Sequence, residues 1–205
     1  MVQLWGNPNG QASAPAARQT AQEGERDEVR LVGRAAAGEL RAFEDLYRIY
    51  RPRLMRFLGR LLRRPTVIEE VLNDTMLVVW RRADSYNGGS KVSTWIFAIA
   101  YRKGLKALQR LDEPVGDEPA HATADASAGP EQQAGLGQLR EVLGKAIDGL
   151  SAEHRAVVEL TYFHGLGYRD IADIVGCPVD TVKTRMFYAR RRLRGLLAGE
   201  LKDWL

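Results

Sequence analysis

Lys183, Thr184 and Arg185 sit together in the stretch Gly167–Arg194, GYRDIADIVGCPVDTVKTRMFYARRRLR. Lysine and arginine donate to phosphate oxygens or to the acceptor edge of guanine, and a threonine hydroxyl can serve either. Phe187 adds an apolar surface of the kind that packs on a thymine methyl, and Arg190 opens an arginine series that continues to Arg194. A second group mixes rings with cations: Tyr86, Trp95 and Tyr101 stand among Lys91, Arg102 and Lys103. Such rings offer faces on which unpaired bases stack. Both groups have a plainer reading. Arginines at a helix C-terminus complement the helix dipole, and Trp95 can be a core residue.

The elements needed to position the first group can be read from the same stretch. Ala172 is small enough for two helices to cross, Gly176 tolerates a turn at positive φ, and Val182 faces back into a core. Ile171, Val175, Met186 and Leu193 extend that buried face. The spacing predicts a helix-turn-helix, against the competing reading of an ordinary helical hairpin. Its second helix is expected to begin at Pro178, with Val179, Asp180, Lys183, Thr184 and Phe187 outward.

Catalysis finds no support. The chain has no GxxxxGK[ST] loop, GxSxG elbow or HExxH pair, and His121, His154 and His164 are scattered. Its single cysteine, Cys177, excludes an internal disulfide and a Cys-rich zinc cluster. The expectation is a non-enzyme without metal or cofactor. Apolar runs are far short of the roughly 20 residues of a spanning helix, and no signal peptide stands at the start. A cytoplasmic protein without membrane insertion is therefore expected. The net charge of +4 is unevenly spread: residues 28–111 hold 17 Lys/Arg against 8 Asp/Glu, whereas residues 112–133 hold 6 Asp/Glu and no Lys/Arg. A basic module followed by an acidic joint points to a polyanionic partner.

Taken in order, residues 1–26 have little to bury and are expected to be a disordered leader. Helical periodicity starts at Asp27 and closes near Gly38, then resumes from Leu40 through Pro52 to about Leu62. Thr66 and Glu69 have the spacing of a capping box for a helix running to about Ala83, with Ile68, Val71, Leu72, Thr75, Met76 and Val79 inward. A loop at 86–90 precedes a helix at about 93–111, with Trp95, Ile96, Ile99 and Ala100 buried. Residues 112–133 read as a flexible tether. A second module, 134–205, opens with Leu136, Leu139, Leu143, Ile147 and Leu150 on one face. Ser151 then caps a helix whose Val157, Leu160 and Phe163 point inward. Period-two alternation is absent, so the fold class is all-α: two small helical domains joined by an acidic linker.

With these residues in view, the chain resembles the extracytoplasmic-function (ECF) sigma factors of bacterial RNA polymerase. Ile68–Trp80, IEEVLNDTMLVVW, is similar to the family's polymerase-binding helix, and Ser93–Ala100, STWIFAIA, to the segment that melts and reads the −10 element. Leu150–Leu160, followed by Gly167–Ala172 and Thr181–Arg185, is similar to the domain that reads the −35 element. The resemblance implies region 2 at 27–111 and region 4 at 134–205. It implies that Glu70, Asn73 and Asp74 face the clamp of the largest catalytic subunit of core polymerase. Tyr86, Asn87, Lys91, Ser93, Thr94, Trp95 and Arg102 would serve the −10 DNA, where a flipped base is held. Lys183, Thr184, Arg185, Phe187 and Arg190 would serve the −35 DNA. An anti-sigma factor is an implied partner. Glu70 and Asn73 stand where the family usually has Asp and Gln, and Arg102 where Asn is common. The alternative from a different class is an autonomous helix-turn-helix regulator that binds duplex DNA without polymerase.

Overall fold

Ala, Gln, Arg and Glu dominate the sequence from Ala14 onward, and these residues lose little side-chain freedom in a helix. In the computed structural model, which describes residues 14–62, 64–112 and 142–200, α1 accordingly spans Ala14–Ala36. The helix thus begins well before the expected start at Asp27, and residues 14–26 belong to it rather than to a leader. Residues 1–13 and the tether, with His121, Leu136 and Leu139, lie outside the described residues.

After a turn at Gly38, α2 (Leu40–Leu62) runs through Pro52, whose exposed position lets the apolar stripe continue unbroken from Leu46 to Leu62. Glu28 ties α1 to α2: its carboxylate accepts from the Tyr50 hydroxyl at 2.5 Å and from Arg53 Nη1 at 3.3 Å. α3 (Pro65–Arg81) starts one residue before the expected capping box. Pro65 takes a first-turn position, where its missing N–H costs nothing, and Arg64 is the N-cap with no side-chain bond. The capping box is therefore not formed. A short 3-10 turn at Ala83–Ser85 leads to the loop and to α4 (Val92–Asp112). α4 crosses α2 closely at Gly104, where an added Cβ would come within 2.7 Å of Leu61 Cδ2. Tyr50, Leu54, Phe57, Leu58, Leu72, Met76, Ile96 and Phe97 form the centre of this first half.

Residues 142–148 form α5. α6 (Ala152–Tyr162) is capped by Ser151, whose side chain accepts from the His154 backbone N–H. Phe163, expected inward, is the C-cap residue and 46% exposed, because α6 ends there and the chain turns through Gly165. α7 (Tyr168–Val175) and α8 (Val179–Glu200) form the helix-turn-helix. Gly176 lies at φ 67, ψ 41, a left-handed conformation in which a Cβ is strained. Ala172 and Val182 are buried at the crossing as expected, and Ile174 joins them. Pro178 precedes α8 instead of beginning it; its carbonyl accepts from the Thr181 and Val182 N–H groups. The two halves pack on one another, α2 against α6 and α4 against α7. No strand occurs among the described residues.

Candidate nucleic-acid and polymerase interfaces

Because α3 turns Ile68, Val71, Leu72, Thr75, Met76 and Val79 inward, its remaining arc carries Glu69, Glu70, Asn73, Asp74 and Leu77 outward. Asn73 Oδ1 accepts from the Tyr47 hydroxyl at 3.1 Å, Asp74 pairs with Lys103 at 2.9 Å, and Glu70 with Arg110 at 3.8 Å. Exposed pairs of this kind are worth about 0–1 kcal/mol, so a partner can replace them at little cost. Leu77, 43% exposed, puts an apolar side chain on the same arc. Sequence reasoning missed it because an isolated exposed leucine carries no periodic signal.

The loop before α4 is braced by its own side chains. The Tyr86 hydroxyl donates to the Ser90 carbonyl at 2.6 Å, Gly89 N–H donates to Asn87 Oδ1 at 2.9 Å, and the Tyr86 and Trp95 rings lie 5.4 Å apart. Burial raises the Tyr86 pKa, with Glu25 and Glu28 of α1 adding to the effect. Lys91, Trp95 and Arg102 are spaced at i, i+4 and i+11, so they line one face of α4 below this loop. Asn87, Lys91 and Arg102 are exposed, and the Tyr86 and Trp95 rings are half-buried against each other. Ser93 and Thr94 are buried: they are 7% and 1% exposed, and the Thr94 hydroxyl has no hydrogen-bond partner among the described residues.

On α8 the helical period sorts the residues into two stripes. Val182, Arg185, Met186 and Ala189 follow one face, and Asp180, Lys183, Thr184, Phe187, Tyr188 and Arg191 the other. On the outer stripe Lys183 pairs with Asp180 at 2.9 Å, and the Thr184 hydroxyl donates to the Asp180 carbonyl at 2.9 Å. Phe187 and Tyr188 are 61% and 52% exposed and meet edge to face. Arg190, one turn on, donates from Nε to the Tyr162 hydroxyl at 2.9 Å. Arg185 stands apart from these. It belongs to the inner stripe, where Nη1 donates to Cys177 Sγ at 3.8 Å and the guanidinium charge acts on Tyr101 of α4.

The joint between the halves holds groups that sequence reasoning left unassigned. Arg155 Nη1 donates to the Arg60 carbonyl at 2.8 Å, while Nη2 donates to the carbonyls of Asp148 and Leu150 at 3.0 and 2.9 Å. Glu159 is 1% exposed and lies 3.3 Å from Arg60 Nε, an ion pair whose geometry falls short of a hydrogen bond. Burial pushes the Glu159 pKa up to about 7, against the opposing pull of Arg60, Arg56 and Arg155. His164 packs edge-on against Phe97 at 4.7 Å and Phe57 at 6.2 Å; burial lowers its pKa to about 4, with Arg53 and Arg56 assisting. Among the described residues there is no group of three side chains able to hold a metal, and no helix is long and apolar enough to cross a membrane.

The described structure is thus an all-helical half with an acidic outer helix and a ring-lined loop, packed against a helix-turn-helix half of the class that reads DNA. Residues 46–113 match the family model for sigma-70 region 2, and residues 140–193 that for sigma-70, region 4. The chain is 31% identical over 160 residues to the ECF RNA polymerase sigma factor RpoE of Cereibacter sphaeroides, covering 75% of this chain and 84% of that protein. It is 31% identical over 166 residues to the ECF RNA polymerase sigma factor SigL of Mycobacterium tuberculosis, covering 80% and 93%. A solved structure of the sigma factor RpoE of Bartonella quintana, in complex with the anti-sigma factor NepR, superposes with a TM-score of 0.61 at 26% identity, covering 76% and 96%. The chain belongs to the ECF family of RNA polymerase sigma factors. It is a non-enzymatic initiation factor that works with RNA polymerase and DNA, and the reading as an autonomous regulator is set aside.

Proposed function

We propose that the two halves divide promoter recognition as follows. Region 2, from α1 through α4, binds the polymerase clamp through Glu70, Asn73 and Asp74 and holds −10 DNA at Tyr86, Asn87, Lys91, Trp95 and Arg102. Region 4, residues 134–205, reads the −35 major groove with Lys183, Thr184 and Phe187, and Arg190 lies one turn further along α8. The observation that carries the −35 assignment is the two-stripe division of α8: Lys183, Thr184 and Phe187 share its exposed face, opposite Val182, Met186 and Ala189. Helix-turn-helix proteins present such a face to the major groove. Ser93 and Thr94 act in this reading as packing residues at the start of α4, and Arg185 as an interdomain contact. An anti-sigma factor is a further partner of this chain, by analogy with the Bartonella quintana complex, and the protein works in the cytoplasm.

The test of this division is a pair of binding measurements on the full chain. The double variant Asn73→Ala, Asp74→Ala should bind core polymerase about tenfold more weakly. Lys183→Ala should bind core as the wild type does. Equal core affinity for the double variant and the wild type would overturn the clamp assignment.

A further inference from the structure

Tyr162 ends α6 with 58% of its surface exposed, outside the packed core. It reaches across to Arg190 of α8. Arg190 Nε donates to the Tyr162 hydroxyl at 2.9 Å, and the guanidinium carbon lies 5.7 Å from the centre of the Tyr162 ring, within range of cation–π attraction. α6 and α8 do not need this contact to stay together, since Leu160, Val182, Met186 and Ala189 already join them in the core. Other exposed cations are partly neutralised by a neighbour, as Lys183 is by Asp180 and Lys103 by Asp74. Arg190 has no carboxylate partner among the described residues, so its charge stays available.

The direction of the hydrogen bond decides what that charge can take. Guanidinium N–H groups only donate, so the phenol oxygen accepts and the phenol's own hydrogen is left for another acceptor. With Nε engaged, the terminal nitrogens of Arg190 keep their N–H groups as a planar fork. A positive charge, a fork of donors and an O–H donor side by side match the oxygens of a phosphate diester. Placement favours a backbone phosphate over a base edge. Arg190 lies three residues beyond Phe187 and seven beyond Lys183, on the same outward stripe. It is also eleven residues beyond Val179, the start of α8, which is about 16 Å along the axis at roughly 1.5 Å per residue. The major groove is about 12 Å wide, so with the N-terminal residues of α8 at the base edges Arg190 has reached the strand that borders the groove.

We propose that Tyr162 and Arg190 form a phosphate-binding site that takes one backbone phosphate beside the −35 element, the phenol O–H donating to it while the phenol oxygen holds the guanidinium in place. The assignment rests on the −35 reading of α8 given above. It is tested with core polymerase, the full-length chain and a promoter duplex that this holoenzyme selects. Single phosphates beside the −35 element are replaced one at a time by uncharged methylphosphonates. For the wild type, one such replacement should weaken binding about tenfold. The same replacement should cost Arg190→Ala less than about twofold, because the contact is already gone, and Tyr162→Phe about threefold, because the ring stays while the O–H is lost. A pair that only braces the helices would lower affinity equally on every duplex and leave the dependence on that phosphate unchanged. Thermal unfolding checks that the variants remain folded, and Arg190→Gln, which keeps most of the stem, should behave as Arg190→Ala does. The full wild-type loss at that phosphate in Tyr162→Phe overturns the proposal, as does the absence of any phosphate beside the element whose effect depends on Arg190. Lys183→Ala on the unmodified duplex separates the two failures. Weakened binding by Lys183→Ala keeps the −35 reading and confines the failure to the Tyr162–Arg190 pair, whereas wild-type binding removes the −35 reading itself and the proposal with it.

Discussion

Replacing Glu159 by glutamine isolates the energetic cost of the charge held at the joint between the two halves. The carboxyl is 1% exposed and its pKa is raised from 4.5 to about 7 by burial, although Arg60, Arg56 and Arg155 pull it the other way. A carboxyl with a raised pKa contributes stability that is fully present below its unfolded value of 4.5. That contribution is lost as pH rises through 7. A rise from 4.5 to about 7 corresponds to roughly 3 kcal/mol lost at high pH, of which only about 1 kcal/mol is already lost at pH 5. Glutamine keeps the shape and carries no charge at any pH. Between pH 5 and pH 8, Glu159→Gln should therefore gain on the wild type by roughly 2 kcal/mol. Urea unfolding of both chains at the two pH values measures this directly, and other titrating groups cancel in the difference. A difference between variant and wild type that is the same at pH 5 and pH 8 would refute the reasoning, because it would mean that Glu159 is not held neutral at the joint.

Other expectations follow from single features. Lys183→Ala should reduce −35-dependent output by about one to two orders of magnitude, as expected for about 1–3 kcal/mol lost at one contact, with core affinity unchanged; promoter-strength assays at fixed salt measure it. Gly176→Val forces a β-branched residue into the left-handed region at φ 67 and should destabilise the helix-turn-helix by about 1–3 kcal/mol, read by thermal unfolding. Glu28→Ala removes the acceptor shared by Tyr50 and Arg53 and should cost about 1–3 kcal/mol by leaving the buried Tyr50 hydroxyl unsatisfied, while Tyr50→Phe alone should cost less.

Much of the helical architecture was legible because periodicity and turn chemistry agreed. Pro52 did not end α2, since Leu54, Phe57, Leu58 and Leu61 kept the stripe going, and Gly176 marked the helix-turn-helix turn. The misplacements arose where local signals competed. Thr66 and Glu69 had capping spacing, but Pro65 is better suited to the first turn and moved the helix start. Residues 14–26 looked too polar to bury, yet their helix propensity needs little burial to be expressed. For Arg185 two signals diverge: an arginine beside Lys183 and Thr184 suggests a DNA contact, whereas its spacing of three from Val182 and four from Ala189 puts it on the inner stripe. That period was available in the sequence. The joint was not legible, because Arg155, Glu159 and His164 meet Arg60, Phe57 and Phe97, which lie 67 to 107 residues away along the chain.

The central claim, that this chain directs core polymerase to promoters through two surfaces, meets its most direct test in transcription from purified components. Core polymerase, the full-length chain and a pool of genomic promoter fragments would be combined, and the start sites sequenced. The account expects transcripts from a restricted set of fragments sharing a −35 and a −10 element, reduced with Asn73→Ala, Asp74→Ala at limiting core through weaker core binding and reduced across the set with Lys183→Ala. Start sites unchanged by addition of the chain, or selection of the same fragments at undiminished strength by Lys183→Ala, would contradict it.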